Sequence, residues 1–412
     1  MVKVSRQRSA ELRIEILDAT AAELLRVGYD AMALTAIAQT CGFATSAIYN
    51  RFPTKEALIE ALIVERIEPE LGAQSDAEAI AFWSGSIDLP KLNIEQLGVL
   101  AELLLAARHT PSLHESVYGF LRRRANIALV ERNKAAARGE VRDSQEPLAQ
   151  VLMRASSWIG SYVLGLVSEP PKRYTKTVEE LMRLTMTNLP TSTPFTAERP
   201  NKARVAPNAP PYENHEHDAI HEALVNSAAV VFAEKGYHAA AVADIARRAR
   251  LTTGAIYNRF TGKAGLMNAV IVDKLSTGAQ IVGFDVVQTL AASQAISDPA
   301  VYDLMVRLND DSGLDNRGLR LAARDASRHE PEVAAVVGPL QDATLANMAN
   351  FVRNAQGEGL VRSDIDAETA VWFLVANPVG AGLVCAAFPE VSLEVVTTFY
   401  TTAMEAMRTQ PV

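Results

Sequence analysis

The hexapeptide Ala-Ile-Tyr-Asn-Arg-Phe stands at Ala47–Phe52 and again at Ala255–Phe260, 208 positions later. Tyr49, Asn50 and Arg51, and Tyr257, Asn258 and Arg259 in the second occurrence, present a phenol, an amide and a guanidinium in sequence. Such groups bond phosphate oxygens or the edges of bases. Just before them stand Thr45, Ser46 and Ala47, matched by Thr252, Thr253, Gly254 and Ala255. A helix opening on residues this small is slender enough to lie deep in a major groove. There Ser and Thr hydroxyls reach several base edges, and an Ala or Thr methyl meets the methyl of thymine. Lys55 and Lys263 follow each Arg by four residues. Both fall where a further helix should open, a position that attracts anions. Phe52 and Phe260 suit a core. The chemistry of the set is non-covalent recognition of a nucleic acid duplex.

The elements that must hold these residues are helices. Leu12, Ile16, Thr20 and Leu24, with Leu17 beside them, make one apolar stripe, and Ile220, Leu224, Ala228 and Phe232 repeat it. Gly28 and Gly236 end these helices as C′ glycines would. Leu34, Ile37, Ala38 and Cys41 mark a second, short helix, the hexapeptide sits on a third, and Pro53-Thr54 opens a fourth with Thr54 as N-cap. Two short helices joined by a tight turn, after a longer supporting helix, form a helix-turn-helix. Gly42 in the first turn can take a positive φ; Arg250 occupies that place in the second, at a cost of about 1–3 kcal/mol if the turn is the same. No alternating strand pattern is present, and the expected class is all-α.

The repeat continues without a gap through Ile37-Ala38 and Ile245-Ala246, Leu58 and Leu266, and Ile63 and Ile271. Further on it loosens: Leu105–Arg108 matches Leu321–Arg324, Pro111 matches Pro331, and Gly139–Arg142 matches Gly359–Arg362. The chain is therefore a tandem of two halves. The expected division is a first helix-turn-helix domain at 1–65, a first helical domain at 66–188, a Pro-rich linker at 189–218, a second helix-turn-helix domain at 219–273 and a second helical domain at 274–412.

The segments Leu34–Leu62 and Val242–Val270 resemble the DNA-binding domain of the TetR family of bacterial transcriptional regulators. Both show the Ile-Ala helix, the turn, the Thr-rich start of the third helix, the Ile-Tyr pair, the Phe and the Lys. The resemblance implies double-stranded operator DNA as partner, with Tyr49, Arg51, Lys55, Tyr257, Arg259 and Lys263 on phosphates. It also implies helical regulatory domains that bind a small, apolar effector. The sequence departs from the pattern at Ala33 and Ala241, where a Thr often caps the second helix, at Ser46, where Gly is usual, and at Arg51 and Arg259, where His or Tyr is usual.

Tyr118, Trp158 and Tyr162 in the first regulatory domain, and Tyr302, Trp372 and Phe373 in the second, are the candidates for lining an effector pocket; taken singly, each reads better as an ordinary core aromatic. In the family the last helices pair two chains. This chain already holds the corresponding apolar segments, Leu148–Leu166 and Ala367–Leu383, so an intrachain pseudo-dimer is expected ahead of a homodimer. The linker is long enough, and tethering raises the local concentration of one half about the other to about millimolar. A second reading keeps the fold but loses operator recognition in one or both copies.

The net charge of −8 excludes a uniformly basic coat but not a local basic patch. Lys3, Arg6, Arg8 and Arg13 could form a basic arm, for which Arg247, Arg248 and Arg250 would substitute in the second copy. Two cysteines, Cys41 and Cys385, give no disulfide framework and suit a cytoplasmic protein. The run at Val375–Phe388 is short for a membrane span. No catalytic triad, phosphate loop or carboxylate pair reads as an active site. Glu213, His215, His217 and His221 read as a polar linker entering a helix rather than as metal ligands, and no cofactor is expected.

Overall fold

The computed structural model describes residues 2–69, 94–139, 147–172, 180–185, 219–276, 316–391 and 393–409, and its named elements are helices joined by turns. Two compact units emerge, one from 1–143 with 383–389 and the other from 144–382 with 390–412.

In the first unit, α1 (Val2–Ala31), α2 (Leu34–Thr40), α3 (Thr45–Tyr49) and α4 (Lys55–Leu62) are followed by α5 (Ile94–Ala107) and α6 (Gly119–Ala137). Ile16, Leu17, Thr20 and Leu24 of α1 are all fully buried, the burial of such an aliphatic side chain stabilising by about 1.5–3 kcal/mol. The Thr20 hydroxyl, buried among them, donates to the carbonyl of Ile16 at 2.7 Å. The helical path of α1 breaks at Gly28, whose φ of 73° and ψ of 170° lie in a region essentially closed to other residues. One more turn follows, and it carries Tyr29 and Asp30 toward α4 and α5. The supporting helix packs along α5.

The second unit repeats this arrangement. α9 (Ala219–Ala239), α10 (Val242–Arg248), α11 (Thr253–Tyr257) and α12 (Lys263–Val270) precede α13 (Asn316–Ser327), α14 (Pro331–Gly357), α15 (Ala367–Val384) and α16 (Leu393–Ala406). Gly236 breaks α9 at φ 73° and ψ 171°, the same excursion as Gly28. Leu224, Ala228 and Phe232 are fully buried, but Ile220 is 38% exposed, so the stripe begins one turn later than the sequence pattern suggests. α9 packs along α13 as α1 does along α5.

This unit also holds first-half elements: α7 (Pro147–Gly165) and α8 (180–185). Gly139 and Gly359 share a φ of 73–74° and set the later register of the repeat, 359 − 139 = 220. By the same offset α7 matches α15, Gly160 matches Gly380 (380 − 160 = 220), and the two helices cross at these glycines. A Cβ on Gly160 would lie 1.8 Å from the carbonyl oxygen of Ala376, and one on Gly380 would lie 1.8 Å from that of Ser156. The backbones are therefore in direct contact, which only glycine allows.

Around the crossing, Asn377 Nδ2 donates to Ser157 Oγ at 2.8 Å and to the Met153 carbonyl at 3.1 Å. Trp372 Nε1 donates to Ser161 Oγ at 2.8 Å. Buried Gln341 of α14 donates to the Leu164 carbonyl at 3.1 Å and accepts from Arg324 at 2.8 Å. The stretch Ala367–Ala387 is long and apolar enough to cross a membrane, with a mean hydropathy of 1.8, yet 67% of it is buried against protein, as a core helix would be. Pro378 lies within α15, which continues through it.

Candidate nucleic-acid interface

Each short third helix is pinned from below and open above. Ile48 and Ile256 are fully buried, and Phe52 and Phe260 close the core behind them, as expected of those phenylalanines. Tyr49 is 52% exposed and Tyr257 62%, unusual for side chains of this size. Ser46 and Asn50 are exposed beside Tyr49, with Thr45, Ala47 and Arg51 half-buried. In the second copy Thr252, Thr253, Gly254, Asn258 and Arg259 are exposed with Tyr257, and Ala255 is half-buried. Thr252 is the N-cap residue of α11 rather than its first turn. Arg51 donates through Nη1 to the carbonyl of Ala47 at 3.0 Å, lying back along its own helix.

The turns that aim these helices are alike despite their different residues. Phe43 N–H bonds the Ala38 carbonyl at 2.8 Å and Gly42 N–H that of Gln39 at 3.1 Å. The matching bonds, Leu251 to Ala246 at 2.9 Å and Arg250 to Arg247 at 3.1 Å, complete the same Schellman cap. Gly42 has φ 70°, and Arg250, alone among described non-glycine residues in this region, has φ 58°. Left-handed backbone costs a side-chain-bearing residue about 1–2 kcal/mol. Glycine would relieve that strain while gaining freedom in the unfolded chain. Arg250→Gly should therefore stabilise the protein by about 0.5–1 kcal/mol, read as a higher denaturant midpoint with unchanged slope. A lowered midpoint would mean that the guanidinium contributes more than the backbone loses. Cys41, beside the first turn, is buried, its thiol held up in pKa by burial, and its role is packing.

Thr54 caps α4, its hydroxyl accepting from Ala57 N–H at 3.1 Å. Ala33 and Ala241 occupy the N-cap positions of α2 and α10 with no side-chain bond, so the missing Thr is a true loss in both copies.

The two lysines assigned to phosphate turn inward instead. Lys55 Nζ donates to the Tyr29 carbonyl and lies 4.1 Å from the centre of the Tyr29 ring. Lys263 Nζ donates to the carbonyls of Tyr237 at 2.9 Å and His238 at 3.3 Å, and lies 4.3 Å from the Tyr237 ring. Burial pulls both ammonium pKa values down, partly countered by Asp30 and Glu56 in one case and Glu330 in the other. The cause is the glycine break: it turns the carbonyls at the end of the supporting helix toward the opening of the fourth. Each lysine thus ties the supporting helix to the helix that follows the reader.

Arg13 is likewise not in an outer arm. It pairs with Glu65 at 2.6 Å and lies 4.5 Å over the Phe52 ring. The side chains of Lys3 and Arg6 lie outside the described residues, and Arg8 is exposed. His221 occupies the position of Arg13 in the second copy (221 − 13 = 208) and packs on Phe260 at 5.1 Å between ring centres. It is the counterpart of Arg13; Glu213, His215 and His217 lie outside the described residues. On α10, Asp244 pairs with Arg247 at 2.9 Å and with Lys235 at 2.7 Å, offsetting part of that helix's positive charge. No local signal in the sequence marks these lysines as inward, because the Tyr that each one meets stands 26 residues earlier.

The family model described as "Bacterial regulatory proteins, tetR family" matches residues 16–62 and 224–270. The two matches are offset by 208 at both ends, the register of the repeat. This chain carries the tetR-family domain twice. Both matches fall on the helix-turn-helix units, and the match is to regulatory proteins rather than to enzymes. The Transposon Tn10 TetC protein of Escherichia coli is 36% identical over 66 residues, 15% of this chain and 34% of that protein. The A-factor receptor protein of Streptomyces griseus is 41% identical over 54 residues, 13% of this chain and 20% of that protein. The likeness thus spans about a third or less of these relatives, the length of a tetR-family DNA-binding unit and little more.

Proposed function

We propose that the chain is an intracellular, sequence-specific DNA-binding transcriptional regulator, a repressor released by a small ligand, in which one polypeptide supplies both readers. The observation that carries this reading is the exposure of Tyr49 and Tyr257, with their Asn and Thr neighbours, on two tetR-family recognition helices held by the same buried residues. Side chains of this kind contact phosphates and base edges, the first setting register and the second sequence. The pairing of first-half α7 with second-half α15 supports a pseudo-dimer, since one chain then completes the helix pair that family members form between two.

An asymmetric operator follows. Ala44-Thr45-Ser46 and Thr252-Thr253-Gly254 present different groups to their half-sites. A mismatched base pair costs about 1–3 kcal/mol, enough for each reader to select its own sequence. Selection from a random duplex library should return two dissimilar half-sites about 34–36 Å apart, centre to centre. A perfect palindrome would count against it, and a single half-site would favour the reading in which one copy has lost recognition.

The effector reading rests on less. Trp372 and Phe373 are buried, with Trp372 packed on Leu164 at the crossing of α7 and α15. Tyr118 is buried and stacks on His114, Trp158 and Tyr162 are half-buried on α7, and Tyr302 lies outside the described residues. One relative is named a receptor, which is consistent with a ligand-responsive protein. An effector that couples to DNA by about 1–3 kcal/mol would change affinity about 5–150-fold. A metabolite screen against the DNA complex tests this, and a screen without effect would leave a constitutive binder.

A further inference from the structure

The junction between the second reader and its helical domain carries a group of side chains that DNA recognition does not use. Among the described residues, His238, Asp325 and His329 each offer one ligand atom, and these atoms lie within 4.8 Å of one another. His238 follows the glycine break of α9, Asp325 is in the last turn of α13, and His329 stands two residues beyond that helix. His238 Nε2 is 3.7 Å from Asp325 Oδ2, and the two imidazoles meet edge to face at 4.7 Å between centres.

The first half shows how the group arose. Asp30 occupies the position of His238 (238 − 30 = 208), and His109 stands two residues beyond α5 as His329 does beyond α13. There His109 Nε2 and Asp30 Oδ2 meet at hydrogen-bond distance, 2.8 Å. In the 220 register that matches His109 with His329, Asp325 stands where the first half has Leu105 (325 − 105 = 220), and His238 stands where it has Asp30. One carboxylate facing one imidazole has become two imidazoles facing one carboxylate. Two imidazoles and one carboxylate are a donor set that a divalent transition metal takes.

We propose that His238, Asp325 and His329 form a divalent transition-metal site, with Zn²⁺ the ion best matched to two imidazoles and a carboxylate. Tetrahedral Zn²⁺ with bonds near 2.1 Å needs its ligand atoms about 3.4 Å apart. Rotation of the half-exposed side chains closes the difference, leaving a fourth position for water. The ion would clasp the end of α9 to the end of α13. The Lys263 bond to the His238 carbonyl, at 3.3 Å, continues that clasp to the helix following the reader.

The site is defined by its metal alone, so its test is independent of operator binding. Full-length protein stripped of metal is titrated with Zn²⁺ against a chromophoric chelator, and with Co²⁺ by its visible absorption. The expected result is one saturable equivalent per chain that is lost in the His238→Gln, His329→Gln double variant and weakened at least tenfold in Asp325→Asn. Circular dichroism of the metal-free variants must match wild type; should the double variant misfold, Asp325→Asn decides. An Asp30→Asn, His109→Gln variant should bind like wild type. The proposal is overturned if wild type takes up no saturable equivalent, if the trio variants keep its affinity, or if His215→Gln with His217→Gln removes it instead.

Discussion

Gly160→Ala should destabilise the protein by about 3 kcal/mol, although it adds a single methyl group to an apolar helix. The new Cβ would stand 1.8 Å from the Ala376 carbonyl oxygen, 2.6 Å from its carbon and 2.9 Å from Gly380 N. All three are backbone atoms of α15, so no side chain can rotate away. The helices must separate, and the Asn377 bonds to Ser157 and Met153 and the Trp372 bond to Ser161 stretch with them. Gly165→Ala is the control. Its Cβ would meet nothing within 4 Å, and the exchange should be neutral or slightly stabilising. Denaturant unfolding followed by circular dichroism distinguishes the two. Equal midpoints for Gly160→Ala and wild type would show that α7 and α15 do not cross at these glycines in solution.

The second large effect concerns DNA. Alanine at Arg51 or Arg259 should weaken operator binding roughly 10- to 150-fold, the worth of a charge-assisted hydrogen bond of about 1.5–3 kcal/mol. It should also lower the slope of log affinity against log salt by about one per lost phosphate contact. Arg51 must leave the Ala47 carbonyl to do this, a small loss because that bond is half-exposed. Lys55→Ala and Lys263→Ala should behave differently. Their ammonium groups hold backbone carbonyls and tyrosine faces, so their loss should lower the unfolding midpoint while the salt slope stays near that of wild type. If Arg259→Ala leaves affinity and slope untouched while Arg51→Ala does not, the second copy is a structural partner and not a reader.

Much of the architecture was legible because it is local. The repeated hexapeptide, the short helices, the Thr54 cap and the conformation of Arg250 all depend on residues within one turn of each other. Leu148–Leu166 and Ala367–Leu383 announce themselves as apolar helices for the same reason, and they are α7 and α15 within a residue at each end. What the sequence conceals is which distant groups those helices bring together. Lys55 appears as a cation at a helix opening, and nothing adjacent says that Gly28 has turned the Tyr29 carbonyl to meet it. Arg13 and His221 look like an arm and a linker histidine, yet both cover a phenylalanine of the reader. Gly160 and Gly380 become recognisable as a matched pair only when the helices that carry them are seen to cross.

That crossing has a consequence for how the molecule can change. The 220-residue offset also matches Ser157 with Asn377 (377 − 157 = 220), and these two side chains bond each other at 2.8 Å. In an assembly of two identical chains, a residue on the symmetry axis faces itself, and any substitution arrives on both sides at once. Serine would meet serine, or asparagine would meet asparagine. Fusion of the halves removes that constraint: a donor can settle opposite an acceptor, and Leu152 can differ from its counterpart Trp372 (372 − 152 = 220). The crossing is symmetric in its backbone and asymmetric in its side chains. Each half can therefore drift toward its own partner and away from a copy of itself, a discrimination that no homodimer can encode at its axis.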